Sequence, residues 1–553
     1  MQNFYEEPQL LKTQNGSSVL YRNKALYSKY SPARSILNQI SSQSFLPYTL
    51  VILASPVLDY GVLEILAKLD KTSFLLAIQP DELLYKFTQT NILEKNFTFL
   101  KSQNPNFAFL QISEVKKFFS IFIKLDTVFS FKRLTIINSS ALSLGDQSQK
   151  TFFENIKNKA GNYLKEKLVN RLTLIQMGHG IAANFFKNLK KLSQAQSDFK
   201  TVDSIKINKP ILILGAGESL DANFNNIARY SEKFFIIALD AVAEKLSAKL
   251  KIDAIVLLES QAFISNAFVG SFNANKLPIL FADLSSFPSV PENWRSRGGE
   301  VLYYFTEYAN ANFLNRFKNL NLFSASFESV GSVGLTAIQI ALHLRKSTKQ
   351  PIFVAGLDFA YKKNFTHSKY AFQVEKNFAN SKKLLPLFSG NAFFNDNIIK
   401  QNINSCEIFS NQALFSYGNI FENFLQTEKN IYSLESFARK NTCSFEEVLS
   451  LIKNTPYTNT EKLNSSSFTQ KNAKALIQHF LNEIAFDLSR LQKSLVGKKP
   501  LDKTTLKALL IKNDFLFLHF PDYSPSINNK ALEINFLKRV KIEMEYFYKF
   551  LKD

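Results

Sequence analysis

Cysteine is almost absent from this chain of 553 residues, which has only Cys406 and Cys443. The two stand far apart and form neither a CxxC pair nor a histidine-bearing zinc pattern, so a cysteine-built metal site is excluded. One disulfide is conceivable, and two free thiols fit a reducing compartment at least as well. Long apolar runs are missing too. The most apolar early stretch, Phe45–Leu58, is broken by Pro47 and Pro56 and ends at Asp59. That falls well short of the ~20 residues a bilayer span requires. The opening MQNFYEEPQL lacks the basic head and apolar centre of a secretory leader. A soluble cytoplasmic protein with no stable membrane insertion is the expectation. Long basic runs are also lacking, although the net charge is +21. Pairs such as Lys190-Lys191 and Lys498-Lys499 read as solvated faces, and no nucleic-acid-binding motif is present. The charge suits an anionic partner, but nucleic acid is not an expected one. No solenoid-type repeat appears.

What is present is an ordinary globular composition, 46% hydrophobic and 20% charged. The length is enough for two to four domains at roughly 100–200 residues each. The 54 Phe accompany many Lys and Asn, which compositional drift explains as readily as function does. Residues 1–145 read as a degenerate Rossmann-like α/β unit. Leu46–Ser55, Ser73–Pro80 and Arg133–Ser140 are strand-like, and Gly61–Leu69 has helical spacing. A cofactor site there would want glycines after the first strand and an acid ending the second. The chain offers Ala54-Ser55-Pro56 and Gln79 instead. Residues 146–204 read as connector helices. Residues 205–377 alternate strand and helix, with strands at 210–215, 234–240, 253–259, 277–283, 301–305 and 351–359 and helices at 220–230, 241–250 and 333–345. The expected fold is a doubly wound α/β sheet. Residues 378–553 read as mostly helical. Ser444 and Glu447 stand there at capping-box spacing, and long amphipathic helices are expected over 471–495 and 534–551.

The turn Gly215-Ala216-Gly217-Glu218-Ser219 ends a hydrophobic strand and opens a helix. Small residues there let a phosphate approach the backbone, and a helix N-terminus presents N–H groups and partial positive charge to it. No Gly-Lys-Ser/Thr follows, so it is not a Walker loop. The strands end in Asp240, Glu259, Asp283 and Asp358. At the C-terminal sheet edge such carboxylates could hold ribose hydroxyls, a sugar amine or a divalent cation, or could simply cap the next helix. Asp240 and Asp358 are the favoured ligand contacts. Ser329-Val330-Gly331-Ser332 precedes a further helix and offers a second set of N–H and hydroxyl groups. His367 lies nine residues past Asp358, in a loop well placed for general-base work. His343, His479 and His519 read as structural, and His179 as a cap or packing residue.

In order, GAGESLD, IIALDAVAEKL, IDAIVLLES, ESVGSVGLTAIQIAL and PIFVAGLDFAYKKNFTHS resemble the motility-associated factor (Maf) flagellin glycosyltransferases. The central domain of that family belongs to a wider group with pterin pyrophosphokinase-like proteins and is similar to a bacterial sialyltransferase fold. ALYSKYSPARSILNQI and the degenerate first unit look like the family's N-terminal domain. The resemblance implies a CMP-activated nonulosonic acid as donor and flagellin Ser/Thr as acceptor, with no required metal, although Mg²⁺ is possible. It implies that Gly215, Ala216, Gly217 and Ser219 bind the CMP phosphate and that Asp240 and Glu259 meet nucleotide or sugar. Ser329, Gly331 and Ser332 would line the donor pocket, Asp358 would sit at its floor, and His367 would be the base. Glu218 stands where proline is common in the family, which puts a carboxylate beside the phosphate site unless it turns outward. Two other readings use the same residues. One is a Mg²⁺-dependent pyrophosphokinase acting on a pterin-like alcohol, and the other is a non-catalytic flagellin-binding protein.

Overall fold

The computed structural model describes residues 7–90, 104–195, 199–268, 277–362, 366–383, 398–403, 405–439, 442–453, 461–462, 470–497, 501–521 and 533–552. They form two compact units, 1–173 and 174–553.

In the first unit, strands β1 (Thr49–Ala54), β2 (Phe74–Gln79), β3 (Phe107–Gln111) and β4 (Arg133–Asn138) make a parallel sheet in the order β3-β2-β1-β4. Every residue of β1 is buried, because the sheet is covered on both faces. Leu50 and Ile52 point to a core with Phe118 and Phe122, while Val51 and Leu53 face Ile36, Ile40 and Ile65. The turn after β1 is closed by an amide. Buried Gln79 donates from Nε2 to the Pro56 carbonyl at 3.1 Å and accepts from the Asp81 N–H at 3.1 Å. A neutral amide thus fills the position where a ribose-binding acid would end the second strand.

The stretch expected to hold several connector helices is one continuous helix, α1 (Gln147–Gln194). It contains no proline, and its Gly161 and Gly180 have open space around them, so nothing in the sequence breaks it. Phe152, Phe153 and Ile156 pack in the first unit, and Phe185, Phe186 and Leu189 in the second.

The second unit is built on strands β5 (Ile211–Leu214), β6 (Phe235–Leu239), β7 (Ala254–Leu257), β8 (Ile279–Asp283), β9 (Val301–Tyr304), β10 (Ile352–Ala355) and β11 (Ile431–Ser433). They form one parallel sheet in the order β9-β8-β7-β6-β5-β10-β11. Among its helices, α2 (Glu218–Arg229), α3 (Asp240–Ser247) and α4 (Val333–Leu344) follow β5, β6 and β9. The region after 378 is helical in the main, with α5 (Gln412–Thr427), α6 (Gln470–Leu495) and α7 (Ile534–Lys552), yet it also supplies β11 and the hairpin Ile398–Ile403/Cys406–Asn411.

The period-2 side chains of β5 sort into two cores. Leu212 and Leu214 face the C-terminal helices and the end of α1, whereas Ile211 and Ile213 face α4 and α5. Phenylalanine dominates the first of these cores. Phe186, Phe515 and Phe547 meet at ring-centroid distances of 4.7 and 5.0 Å, edge-to-face contacts that add to area burial. Both cysteines are free. No described helix is long and apolar enough to cross a membrane.

Candidate functional site

The sheet order reverses between β5 and β10. The chain moves outward from β5 through β6, β7, β8 and β9, then crosses back to place β10 on the other side. In open parallel sheets such a reversal splays the strand-end loops apart, and ligands bind in the resulting crevice. The GAGES turn leaves β5 at this point, and Gly356-Leu357-Asp358 leaves β10 beside it.

The two loops are tied together by their backbones. The Gly215 N–H donates to the Ala355 carbonyl at 2.8 Å, and the Gly217 N–H to the Gly356 carbonyl at 2.8 Å. A Cβ on Gly215 would stand 2.4 Å from the Gly356 oxygen, and one on Gly356 would stand 2.3 Å from the Gly215 oxygen. Gly356 also has φ +78°, a left-handed conformation that an L side chain strains. These glycines are therefore demanded by the crossing of two backbones, whatever else approaches them.

The head of α2 is held by an acid from the neighbouring strand. Ser219 donates its N–H to Asp358 Oδ2 at 2.9 Å, and its Oγ accepts from the Gly356 N–H at 2.8 Å. Asp358 Oδ1 accepts from Ser436 Oγ at 2.6 Å. Asp358 is buried, and each of its two carboxylate oxygens accepts one of these bonds. Glu218 turns toward Lys362, whose Nζ lies 2.7 Å from Glu218 Oε1. The carboxylate is thus neutralised by an ammonium that also lies over the Phe437 ring at 4.5 Å.

The loop carrying His367 folds onto the same turn. The Ser368 N–H donates to the Ala216 carbonyl at 2.7 Å, its Oγ donates to Asp221 Oδ1 at 2.6 Å, and the Lys369 N–H donates to Asp221 Oδ2 at 3.1 Å. His367 is exposed, with Nδ1 3.2 Å from Thr366 Oγ1, yet enough protein surrounds its ring to lower its pKa from the usual value by desolvation. The Ser329–Ser332 turn leads into α4. Gly331 has φ +72°, and a Cβ there would meet the Tyr417 ring at 2.8 Å. A Cβ on Gly334 in the first turn of α4 would stand 2.5 Å from Leu357 Cδ2, so the head of α4 lies against the loop after β10. The Ser332 side chain makes no capping bond.

Asp240, Glu259 and Asp283 form a separate acidic row along the ends of β6, β7 and β8. Burial, resisted by the bond from the Ala241 N–H and reinforced by the Glu259 charge, raises Asp240 to about 7. Burial raises Asp283 to about 6 against the bonds from Ser285. Glu259 accepts from the Gln261 N–H at 2.8 Å.

The structure thus gathers Gly215–Ser219, Asp358, the His367 loop and the head of α4 at the switch point. Asp240, Glu259 and Asp283 line the strand ends beside it. Lys362, Ser368, Ser436 and Tyr417 join the first group without having been singled out in the sequence. Lys362 carries a legible signal, being four residues past Asp358 in the same loop. Ser436 and Tyr417 arrive from a region read as helical, and no local pattern announces them. His343 is structural: its Nε2 lies 2.7 Å from Asp203 Oδ1.

An open, doubly wound α/β sheet with its polar residues at the topological switch point places the candidate site where ligands bind in open parallel sheets. The family model described as 6-hydroxymethylpterin diphosphokinase MptE-like matches residues 183–364. An uncharacterized protein of Treponema pallidum (strain Nichols) is 31% identical over 563 aligned residues, covering 98% of this chain and 95% of its own. The solved structure of a MAf glycosyltransferase from Magnetospirillum magneticum AMB-1 superposes with a TM-score of 0.51 at 13% identity, covering 99% of this chain and 91% of that one. The chain belongs to the family of the Treponema protein, Maf-like in fold with an MptE-like domain at its centre.

Proposed function

We propose that the protein is a glycosyltransferase that moves a nonulosonic acid from CMP to a Ser or Thr hydroxyl of flagellin in the cytoplasm, in support of flagellar assembly and motility. The observation that carries this reading is the convergence of the GAGES turn, the head of α4 and the His367 loop at the switch point, in a fold shared with a glycosyltransferase. The Gly217 and Ser219 N–H groups are committed to Gly356 and Asp358. The donor phosphate in this reading therefore meets the positive end of α2 at the Gly215–Ser219 turn, the Lys362 ammonium and the hydroxyls of Ser329 and Ser332. Asp240 and Glu259 face the nucleotide or sugar hydroxyls. His367 removes the acceptor proton as the bond to CMP breaks through an oxocarbenium-like state, and the fixed positive charge stabilises the departing phosphate. No metal enters this scheme.

Calorimetry with CMP, with and without Mg²⁺, tests the donor half. Metal-free CMP binding supports the transferase, whereas Mg²⁺-dependent ATP binding favours the pyrophosphokinase and neither favours a non-catalytic flagellin-binding protein. Mass spectrometry of flagellin from a strain lacking the gene tests the whole reading, and an unchanged glycan mass rejects it.

A further inference from the structure

Two of the chain's five histidines, His179 and His519, and the carboxylate of Glu543 lie far apart in sequence, yet the fold brings them together. They come from three places: α1, the loop after the Lys503–Lys512 helix, and α7. His179 Nδ1 lies 2.7 Å from Glu543 Oε2, and His519 Nε2 lies 3.3 Å from Glu543 Oε1. One potential ligand atom from each of the three residues lies within 4.8 Å of the others. The approach is close because residue 178 is glycine: a Cβ there would come within 3.2 Å of His519 Cβ. His519 and Glu543 each keep only 16% of their side chains exposed, while His179 keeps 40%, so the cluster is walled on two sides and open on the third. His519 faces Glu543 through Nε2, which leaves its Nδ1 buried and without a hydrogen-bond partner among the described residues.

We propose that His179, His519 and Glu543 form a site for one divalent cation of the zinc class, held by two imidazoles and one carboxylate with a fourth position open on the His179 side. Two neutral imidazoles favour Zn²⁺, Co²⁺ or Ni²⁺ over Mg²⁺ and Ca²⁺, which take oxygen ligands. Bonds of about 2.0–2.2 Å to a tetrahedral ion place ligand atoms roughly 3.4 Å apart. The 2.7 and 3.3 Å separations run to different oxygens of Glu543, and the three ligand atoms, all within 4.8 Å of one another, reach that spacing by side-chain adjustment. Binding keeps Glu543 ionised and both rings neutral, so any proton on an imidazole is released to solvent as the metal–nitrogen bond forms. The ion would clamp α7 and the His519 loop to α1. Two residues before His179, Met177 Sδ accepts from Gln261 Nε2 at 3.7 Å. Gln261 in turn follows Glu259 at the end of β7, which sets the clamp beside the loops of the sheet's C-terminal edge.

The test uses full-length protein stripped with a chelator and titrated with Co²⁺ alone, followed by its visible d–d absorption, and separately with Zn²⁺ by calorimetry. One equivalent of Co²⁺ should bind with the absorption of a four- or five-coordinate nitrogen–oxygen site, and Zn²⁺ should displace it and raise Tm. His179→Ala, on the open side of the cluster, and Glu543→Gln, which keeps the shape of the side chain, should each abolish the spectrum while retaining native circular dichroism. His479→Ala, exposed and outside the cluster, should leave it unchanged. Octahedral Co²⁺ absorption only, or unaltered binding in His179→Ala, overturns the proposal. If Glu543→Gln fails to fold, His179→Ala alone decides the matter.

Discussion

Asp358 shows how much one side chain can be asked to do. Its carboxylate caps α2 through the Ser219 N–H and holds Ser436 from the far side of the sheet edge. Asp358→Ala should cost about 1–2 kcal/mol by loss of the cap, read as a lower midpoint in urea, and should also weaken CMP binding because α2 is no longer aimed. The glycines beside it divide cleanly by surroundings. Gly356→Ala meets both a left-handed φ and the Gly215 carbonyl, and should cost at least ~2 kcal/mol. Gly161→Ala, in open space on α1, should gain about 0.5–1 kcal/mol by helix propensity. Equal midpoints for the two variants would show that the loop crossing is looser than described. His367→Ala should abolish transfer and leave CMP affinity nearly intact, and full activity would remove it from the proposed mechanism. Glu218 is paired with Lys362. Lys362→Ala should weaken CMP binding more than Glu218→Gln does, since it removes the cation and leaves the carboxylate unpaired.

Among the elements, α7 makes the plainest case for packing over propensity. Phe536, Val540, Met544 and Phe547 recur every three to four residues and are all buried, the spacing expected of a helix with one buried face. Phe547 meets Phe515 and Phe186 edge-to-face, so Phe547→Ala should cost about 3–5 kcal/mol, measured by chemical denaturation. Shorter elements were legible where chemistry is local. Ser444 and Glu447 form the reciprocal box their spacing announces, with Ser444 N–H to Glu447 Oε2 at 2.7 Å and Glu447 N–H to Ser444 Oγ at 3.3 Å. The strand β11 was not legible. Three residues carry too short a pattern, and it exists only because the edge of β10 was open to pair with it.

Across the whole molecule, two sets of carboxylates pull stability in opposite directions with pH. Asp240, Asp283 and Asp514 are raised to about 7, 6 and 6, in each case chiefly by burial. Their folded pKa values exceed the unfolded ones, so their contribution is full below about pH 4 and is lost as pH rises through 6 to 7. Asp203 and Glu543 are lowered to about 2. Burial pushes each upward, but hydrogen bonds outweigh it, from His343 and Ser324 on Asp203 and from His179 and His519 on Glu543. Their contribution is present above about pH 4.5 and is lost as pH falls toward 2. Thermal stability should therefore decline from mildly acidic pH toward pH 8 and also collapse in strong acid. Asp240→Asn keeps an acceptor for the Ala241 N–H, so it should flatten the decline between pH 5 and 8; an unchanged Tm profile would show that Asp240 is already ionised in the fold.

The sequence by itself determined the alternation of strand and helix from 205 to 377, the buried strands and the helices α2, α3 and α4. Each follows from side-chain period and from glycine or acid at an element end, which are local properties. It also displayed the GAGES turn, Asp358 and His367, because chemistry-bearing residues after strands stand out one strand at a time. Only the tertiary structure decided that β5 and β10 are neighbours, since strand order depends on crossovers that no local window contains. That adjacency turned the glycines into a backbone crossing and made Asp358 the cap of a helix 139 residues away in sequence. It likewise joined His179, His519 and Glu543, separated by up to 364 residues, because contacts of that range are fixed by the packing of whole elements.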